Sequence, residues 1–175
     1  MKRRILTVLA ILGALAVAGA VSFLEERRAP LPDDLKADTI VVEKSMHRMS
    51  LFKDGELLRT YQVALGRGGP EPKSREGDAR TPQGAYVIDS RNRRSGFHRA
   101  LHVSYPGAAD VAAASARGVD AGSDVMIHGI KNGLGWLGRL HRAVDWTAGC
   151  IAVTNREMDE VWRLVPNGTP ILIKQ

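Results

Sequence analysis

The sequence predicts a mainly β domain of about eight strands with two short helices, and three observations carry that prediction. Short β-branched or aromatic runs recur along the chain, each bounded by turn residues. The 175 residues include 18 glycines and 8 prolines, a density of turn formers that suits strands better than a helix bundle. Only two segments carry helical signals, and both are brief. At 44% hydrophobic and 25% charged the chain is an ordinary globular one, with length for one domain and some chain to spare.

The strands follow in order. Thr39-Ile40-Val41-Val42 is β-branched and opens the domain. Met49–Lys53 and Glu56–Thr60 flank Asp54-Gly55, whose residues tolerate the positive φ angles of a tight hairpin. Tyr61–Leu65 continues extended until Gly66-Arg67-Gly68-Gly69-Pro70 breaks it, and a polar loop runs to Ala79. Thr81-Pro82-Gln83-Gly84 has turn chemistry, and Ala85–Ile88, Leu101–Tyr105 and Val125–His128 read as strands. Asp110–Arg117 is an alanine-rich helix stopped by Gly118, and NGLGWLG reads as a glycine-rich loop. Ile151–Val153 is a strand end. Thr154 with Glu157 then forms a capping box for a helix whose apolar stripe is Met158, Val161, Trp162 and Val165. Pro166-Asn167-Gly168 ends that helix, and Thr169–Ile173 is the last strand.

Ahead of the domain, Lys2-Arg3-Arg4 precedes the uncharged run Ile5–Leu24, which is long enough to cross a bilayer as a helix. Ala16-Val17-Ala18 and Ala18-Gly19-Ala20 also resemble cleavage sites. Signal-anchor and cleaved signal both export the rest of the chain, with the basic flank left inside. The signal-anchor is the preferred reading, held in the inner membrane by residues 5–24 of a segment 1–24. Residues 25–38 form a linker and 39–175 the domain. The net charge of +6 is spread along the chain, and with three Trp, three Tyr and three Phe and no recognition motif it argues against nucleic acid as a partner. It suits an anionic partner such as a membrane or cell wall.

Export sharpens the meaning of Cys150, the one cysteine in the chain. Oxidising compartments favour paired cysteines, so a lone one is a small buried hydrophobe, an intermolecular link or a reactive thiol. A reactive thiol needs a partner for its proton. His128, at the end of a predicted strand and followed by Gly129, is the best placed histidine. An activated pair predicts thiol labelling below the usual pKa of about 8.5, lost when His128 is replaced. Ala148-Gly149-Cys150 has small side chains, and its backbone N–H groups can form a donor nest for an oxyanion. A zinc site from Cys150, His128 and His141 lacks short-spaced ligand pairs and any HExxH. His141, between Arg139 and Arg142, reads as surface.

His128-Gly129 followed by Thr147-Ala148-Gly149-Cys150-Ile151 resembles the signature of the L,D-transpeptidase (YkuD-type) catalytic domain. EGDARTPQGAYVI (Glu76–Ile88) resembles that family's Gly-Asp…Thr-Pro-x-Gly turn and strand. Ser95…His98…LHVSYP (Leu101–Pro106) and DWTAGCIAVTN (Asp145–Asn155) are similar to its YafK-like branch. The resemblance runs from Thr39 to Ile173. It implies a β-sandwich-type catalytic fold in which Cys150 attacks a peptidoglycan stem-peptide carbonyl and forms a thioester. It makes His128 the general base, oriented by the Gly129 carbonyl, with oxyanion donors from Gly149 and Cys150. Thr147 would support the loop, and His102 and His98 are candidates for the substrate groove. No cofactor and no metal are implied.

Two residues depart from the pattern. Ala148 stands where the family has a histidine, and Ala152 stands near where it has Arg or Asn. Three functions therefore stay open. An amine acceptor makes an L,D-transpeptidase. Water makes a hydrolase, either a carboxypeptidase or an enzyme freeing a wall-linked lipoprotein. A non-catalytic wall-binding scaffold is the reading of another class.

Overall fold

Residues 29–175 are described in the computed structural model of the chain, so the apolar run 5–24 and the first residues of the linker lie outside the described residues. The strands are β1 (Thr39–Glu43), β2 (Arg48–Lys53), β3 (Glu56–Gln62), β4 (Gly84–Asn92), β5 (Ala100–Val103), β6 (Met126–His128), β7 (Ile151–Ala152) and β8 (Pro170–Lys174). Two α-helices join them, α1 (Ala108–Ser115) and α2 (Asn155–Leu164), with 3-10 turns at Lys44–Met46 and Gly135–Ala143. The mainly β prediction with two short α-helices describes this chain, and residues 33–175 make one compact unit.

The strands form one sheet in the order β3-β2-β1-β8-β4-β5-β6-β7. β2 and β3 are the predicted hairpin, with Asp54 at φ 52° and Gly55 at φ 81°, as a two-residue hairpin turn requires. β4 joins the two halves of the sheet. Its first residues, Gly84–Val87, pair with β8, and Ile88 and Ser90–Asn92 pair with β5 on either side of a bulge. β5 and β6 run antiparallel, whereas β6 and β7 run parallel.

Alternation decides which side chains enter the core. Ile40 and Val42 of β1, Leu101 of β5, Ile127 of β6 and Ile151 of β7 are fully buried, as are Met158, Val161 and Leu164 of α2. The capping box at the start of α2 is present: Thr154 Oγ1 accepts from Glu157 N (3.3 Å) and Glu157 Oε2 accepts from Thr154 N (2.9 Å). α2 therefore begins directly after β7, which fixes the exit of the chain from Cys150.

Three boundaries differ from the sequence reading. α1 begins at Ala108 because the Asp110 carboxylate folds back to accept from Gly107 N (2.9 Å), acting inside the first turn. The strand read through Leu65 stops at Gln62, and Ala64 survives as a single bridge to Ala152. The stretch read as a glycine-rich loop coils into 3-10 turns over Gly135–Ala143, kinked at Gly138 (φ 48°, ψ −127°). Arg142 anchors those turns to Glu157 of α2, a long-range contact that no local pattern announces.

Candidate active site

The parallel β6–β7 pair sets the site. Ile127 pairs with Ile151 and His128 with Ala152, so Cys150 falls opposite Met126 in the same register. Paired residues share a face and neighbours along a strand alternate. Ile127 and Ile151 consequently fill the core, while Met126, His128, Cys150 and Ala152 share the other face. Residues that lie 22 positions apart in sequence, His128 and Cys150, are thus presented side by side by adjacent strands.

His128 is 4% exposed, packed against the rings of Phe97 (centroids 4.7 Å apart) and Trp146 (5.7 Å). Its Nδ1 lies 2.6 Å from the Gly129 carbonyl oxygen. A carbonyl can only accept, so Nδ1 carries the proton and Nε2 holds the free lone pair of a base. Burial pushes His128 below the ordinary histidine value, partly offset by the bond to Gly129. Gly129 is itself enclosed: a Cβ there would stand 2.8 Å from Asn155 Oδ1 and 3.1 Å from the Phe97 carbonyl oxygen. Asn155, the first residue of α2, also accepts from Ile130 N (2.8 Å) and so locks the strand end that carries the base.

The Cys150 thiol is partly exposed and donates to the Asp124 carbonyl oxygen at 3.5 Å. No hydrogen bond joins it to His128 among the described residues. Burial pushes the thiol above its ordinary value; the Met126 backbone N–H opposes this, the Asp124 charge adds to it and Lys73 opposes it. Thiol raised and imidazole lowered, the resting pair is neutral. Desolvation disfavours both charges at once, which opposes the ionised thiol expected from sequence. A neutral pair can still act, with His128 taking the proton as sulfur attacks.

The bend before Cys150 is closed by one side chain. Thr147 Oγ1 accepts from Gly149 N (3.1 Å) and donates to the Cys150 carbonyl oxygen (2.7 Å). The Gly149 N–H is thereby occupied, which corrects its assignment as an oxyanion donor. Among the described residues the Cys150 N–H has no hydrogen-bond acceptor on this turn. Thr147 is further tied through its backbone to Leu65 and Arg67, and Asp145 accepts from Leu65 N (2.7 Å) and faces His47 Nε2 (2.9 Å). Over the bend lies the 66–83 loop. Lys44, only 3% exposed, pins it by donating to the carbonyls of Pro70, Glu71 and Thr81. Burial lowers the Lys44 ammonium to about 8.

The remaining predicted residues separate. His102 lines a groove of about 550 Å³ with Asp89, Ser90, Asn92, Asp124 and Met126, the last two being Cys150's own neighbours. His98 does not line it: its Nε2 is held by Asp159 of α2 at 2.7 Å. Ala148 is exposed on the bend. Ala152 is fully buried and bridged to Ala64, so a long polar side chain has no room there. Among the described residues no three His, Cys, Asp or Glu side chains group as a metal site.

His141 is not surface but 6% exposed, its Nδ1 accepting weakly from Trp146 Nε1 at 3.4 Å and its Nε2 without a partner among the described residues. Burial lowers its pKa to about 4, with Arg142 contributing to the shift. The folded state then binds fewer protons than the unfolded one between pH 6.5 and 4, so stability falls as pH falls through that window. Urea midpoints should record a loss of about 2 kcal/mol after solvent screening, and His141→Phe should remove most of that pH dependence. Sequence reasoning also missed Phe97, Trp146, Asp124 and Asn155, which meet the site only through tertiary packing.

The model of the YkuD L,D-transpeptidase catalytic domain matches residues 37–173. The Escherichia coli (strain K12) protein YafK is 30% identical over 112 residues, which are 63% of this chain and 38% of YafK. Among solved structures, the helical cell shape determining protein Pgp2 of Campylobacter jejuni superposes with a TM-score of 0.59 at 20% identity, over 81% of this chain and 49% of that one. An L,D-transpeptidase of Xylanimonas cellulosilytica gives 0.52 at 20% identity, over 87% of this chain and 68% of that one. The chain thus spans well under half the length of YafK and about half that of Pgp2. These structures share the fold, and the family match covers the strands, the bend and the pair of residues described above. The chain belongs to the YkuD L,D-transpeptidase catalytic domain family.

Proposed function

We propose that this chain is a cysteine-dependent acyl-transfer enzyme acting on peptidoglycan stem peptides. The observation that carries the reading is the His128 Nε2 lone pair, fixed by the Gly129 carbonyl, on the same sheet face as a partly exposed Cys150. Sulfur attacks the peptide carbonyl while Nε2 takes the thiol proton, and the Cys150 N–H faces the oxyanion. Collapse expels the leaving amine, which takes the proton from His128, and a thioester remains on Cys150. An amine acceptor then completes L,D-transpeptidation.

Hydrolysis is the second reading. The exposed Ala148 methyl, in place of the family's histidine, offers an acceptor amine no polar contact, which leaves water as the competitor. The same machinery would then trim stem peptides or free a wall-linked lipoprotein. A non-catalytic wall-binding scaffold is disfavoured, because it has no use for an oriented base beside a lone thiol. The basic flank and the uncharged run Ile5–Leu24 support export and an inner-membrane anchor, which would leave the domain facing the periplasmic wall.

Incubating the full chain with purified peptidoglycan and analysing the released fragments by mass tests this function. New cross-links mean transpeptidation, and lost terminal residues or freed protein mean hydrolysis. Product patterns identical for the native chain and Cys150→Ser would refute the enzyme.

A further inference from the structure

The groove beside Cys150 contains a second oriented imidazole that the acylation step does not use. In the sheet, Ser90 pairs with His102 and His102 with Met126, and Cys150 continues that row beyond Met126. These residues share one face, opposite the buried Leu101, Ile127 and Ile151. With neighbouring strands about 4.8 Å apart, His102 stands two strands, or about 10 Å, from Cys150 across the floor of the groove.

Asp89 orients that imidazole. The β4–β5 register shifts between Ile88 and Ser90, which leaves Asp89 as the extra residue of a bulge. Bulges re-aim a side chain out of strict alternation. Here the Asp89 carboxylate reaches His102 Nδ1 at 2.6 Å. The carboxylate accepts, so Nδ1 donates, and Nε2 is the ring nitrogen without a protein partner among the described residues. His128 has the same construction, with a backbone carbonyl in place of the carboxylate. Arg91 also borders the groove, but its guanidinium lies 4.0 Å over the Trp162 ring.

We propose that Asp89–His102 is the base for the second half-reaction, accepting the proton of the acyl acceptor. This rests on the thioester chemistry of the proposed function. The acceptor, an amine or water, attacks the thioester carbon and forms the new C–N or C–O bond. His102 Nε2 takes its proton. The C–S bond breaks, the Cys150 sulfur leaves, and the imidazolium of His102 returns its proton to solvent. An attacking atom about 3 Å from the carbon and a hydrogen bond of about 3 Å fill the span between the two residues. Each half-reaction thus has its own imidazole, one on either side of the sulfur along the sheet face.

The test follows the mass of the intact full chain, in detergent, after mixing with soluble disaccharide-tetrapeptide fragments of peptidoglycan. In His102→Gln and Asp89→Asn the decay of the Cys150 adduct should slow roughly 100-fold more than its formation does, so that acyl-enzyme accumulates. Imidazole added to His102→Ala should speed the decay. A decay unchanged in both variants, or formation slowed as much as decay, overturns the proposal. Loss of the fold in both variants makes the pair structural and overturns it too. If the native chain forms no Cys150-dependent adduct, the acyl-transfer reading itself fails, and this proposal fails with it.

Discussion

Replacing His128 with alanine should slow acylation of Cys150 by 100- to 10,000-fold, measured as growth of the protein-bound acyl mass at neutral pH. The size of the effect follows from the neutral resting pair. Burial raises the thiol and lowers the imidazole, so no pre-formed thiolate supports attack in the absence of a base. For the same reason, alkylation of native Cys150 by iodoacetamide should titrate above the usual thiol value of about 8.5, not below it. The acid side has the opposite consequence. A lowered imidazole pKa keeps His128 unprotonated as pH falls through 6.5, so the acylation rate should hold there and decline only at lower pH. Titration of the thiol below 8.5, or acylation that is indifferent to His128, would show that another group activates the sulfur.

Gly66→Ala should cost about 3 kcal/mol and lower Tm by roughly 10 °C. A Cβ at Gly66 would stand 2.2 Å from the Ala79 carbonyl oxygen and 3.0 Å from Gly149 Cα, both of them backbone atoms that cannot rotate aside. Gly66 is where the chain after β3 enters the 66–83 loop and packs against the bend of Cys150, and its N–H is taken by Thr81 Oγ1 at 3.0 Å. Gly149 is constrained twice, by φ 131° and by the Arg80 carbonyl oxygen 2.7 Å from its would-be Cβ. Acyl transfer should therefore fall further in Gly66→Ala than stability alone accounts for, because the inserted methyl pushes on the bend itself. Gly96→Ala, where nothing lies within 4 Å, is the control and should be within about 0.5 kcal/mol of native. Equal stability of the two variants in urea would mean that the contact relaxes.

Local sequence by itself determined every element whose cause is local. Asp54-Gly55 closes its hairpin because both residues tolerate positive φ, and Thr154 with Glu157 starts α2 because two side chains satisfy two backbone N–H groups. Cys150 and His128 were legible for a related reason, since a lone thiol and a histidine before a glycine are conspicuous without coordinates. Tertiary structure alone decided the rest. The neutrality of the pair comes from desolvation, a property of what surrounds a residue and not of its neighbours in sequence. Occupation of the Gly149 N–H by Thr147 depends on how tightly the bend closes. His141 sits among basic residues in sequence yet is buried beside Trp146, because the 3-10 turns of Gly135–Ala143 fold onto α2. His98 and His102, four positions apart, part company because one faces α2 and the other lies on the sheet face that carries the thiol. Strand register fixes which residues share that face, and register is settled by pairing between segments far apart in the chain.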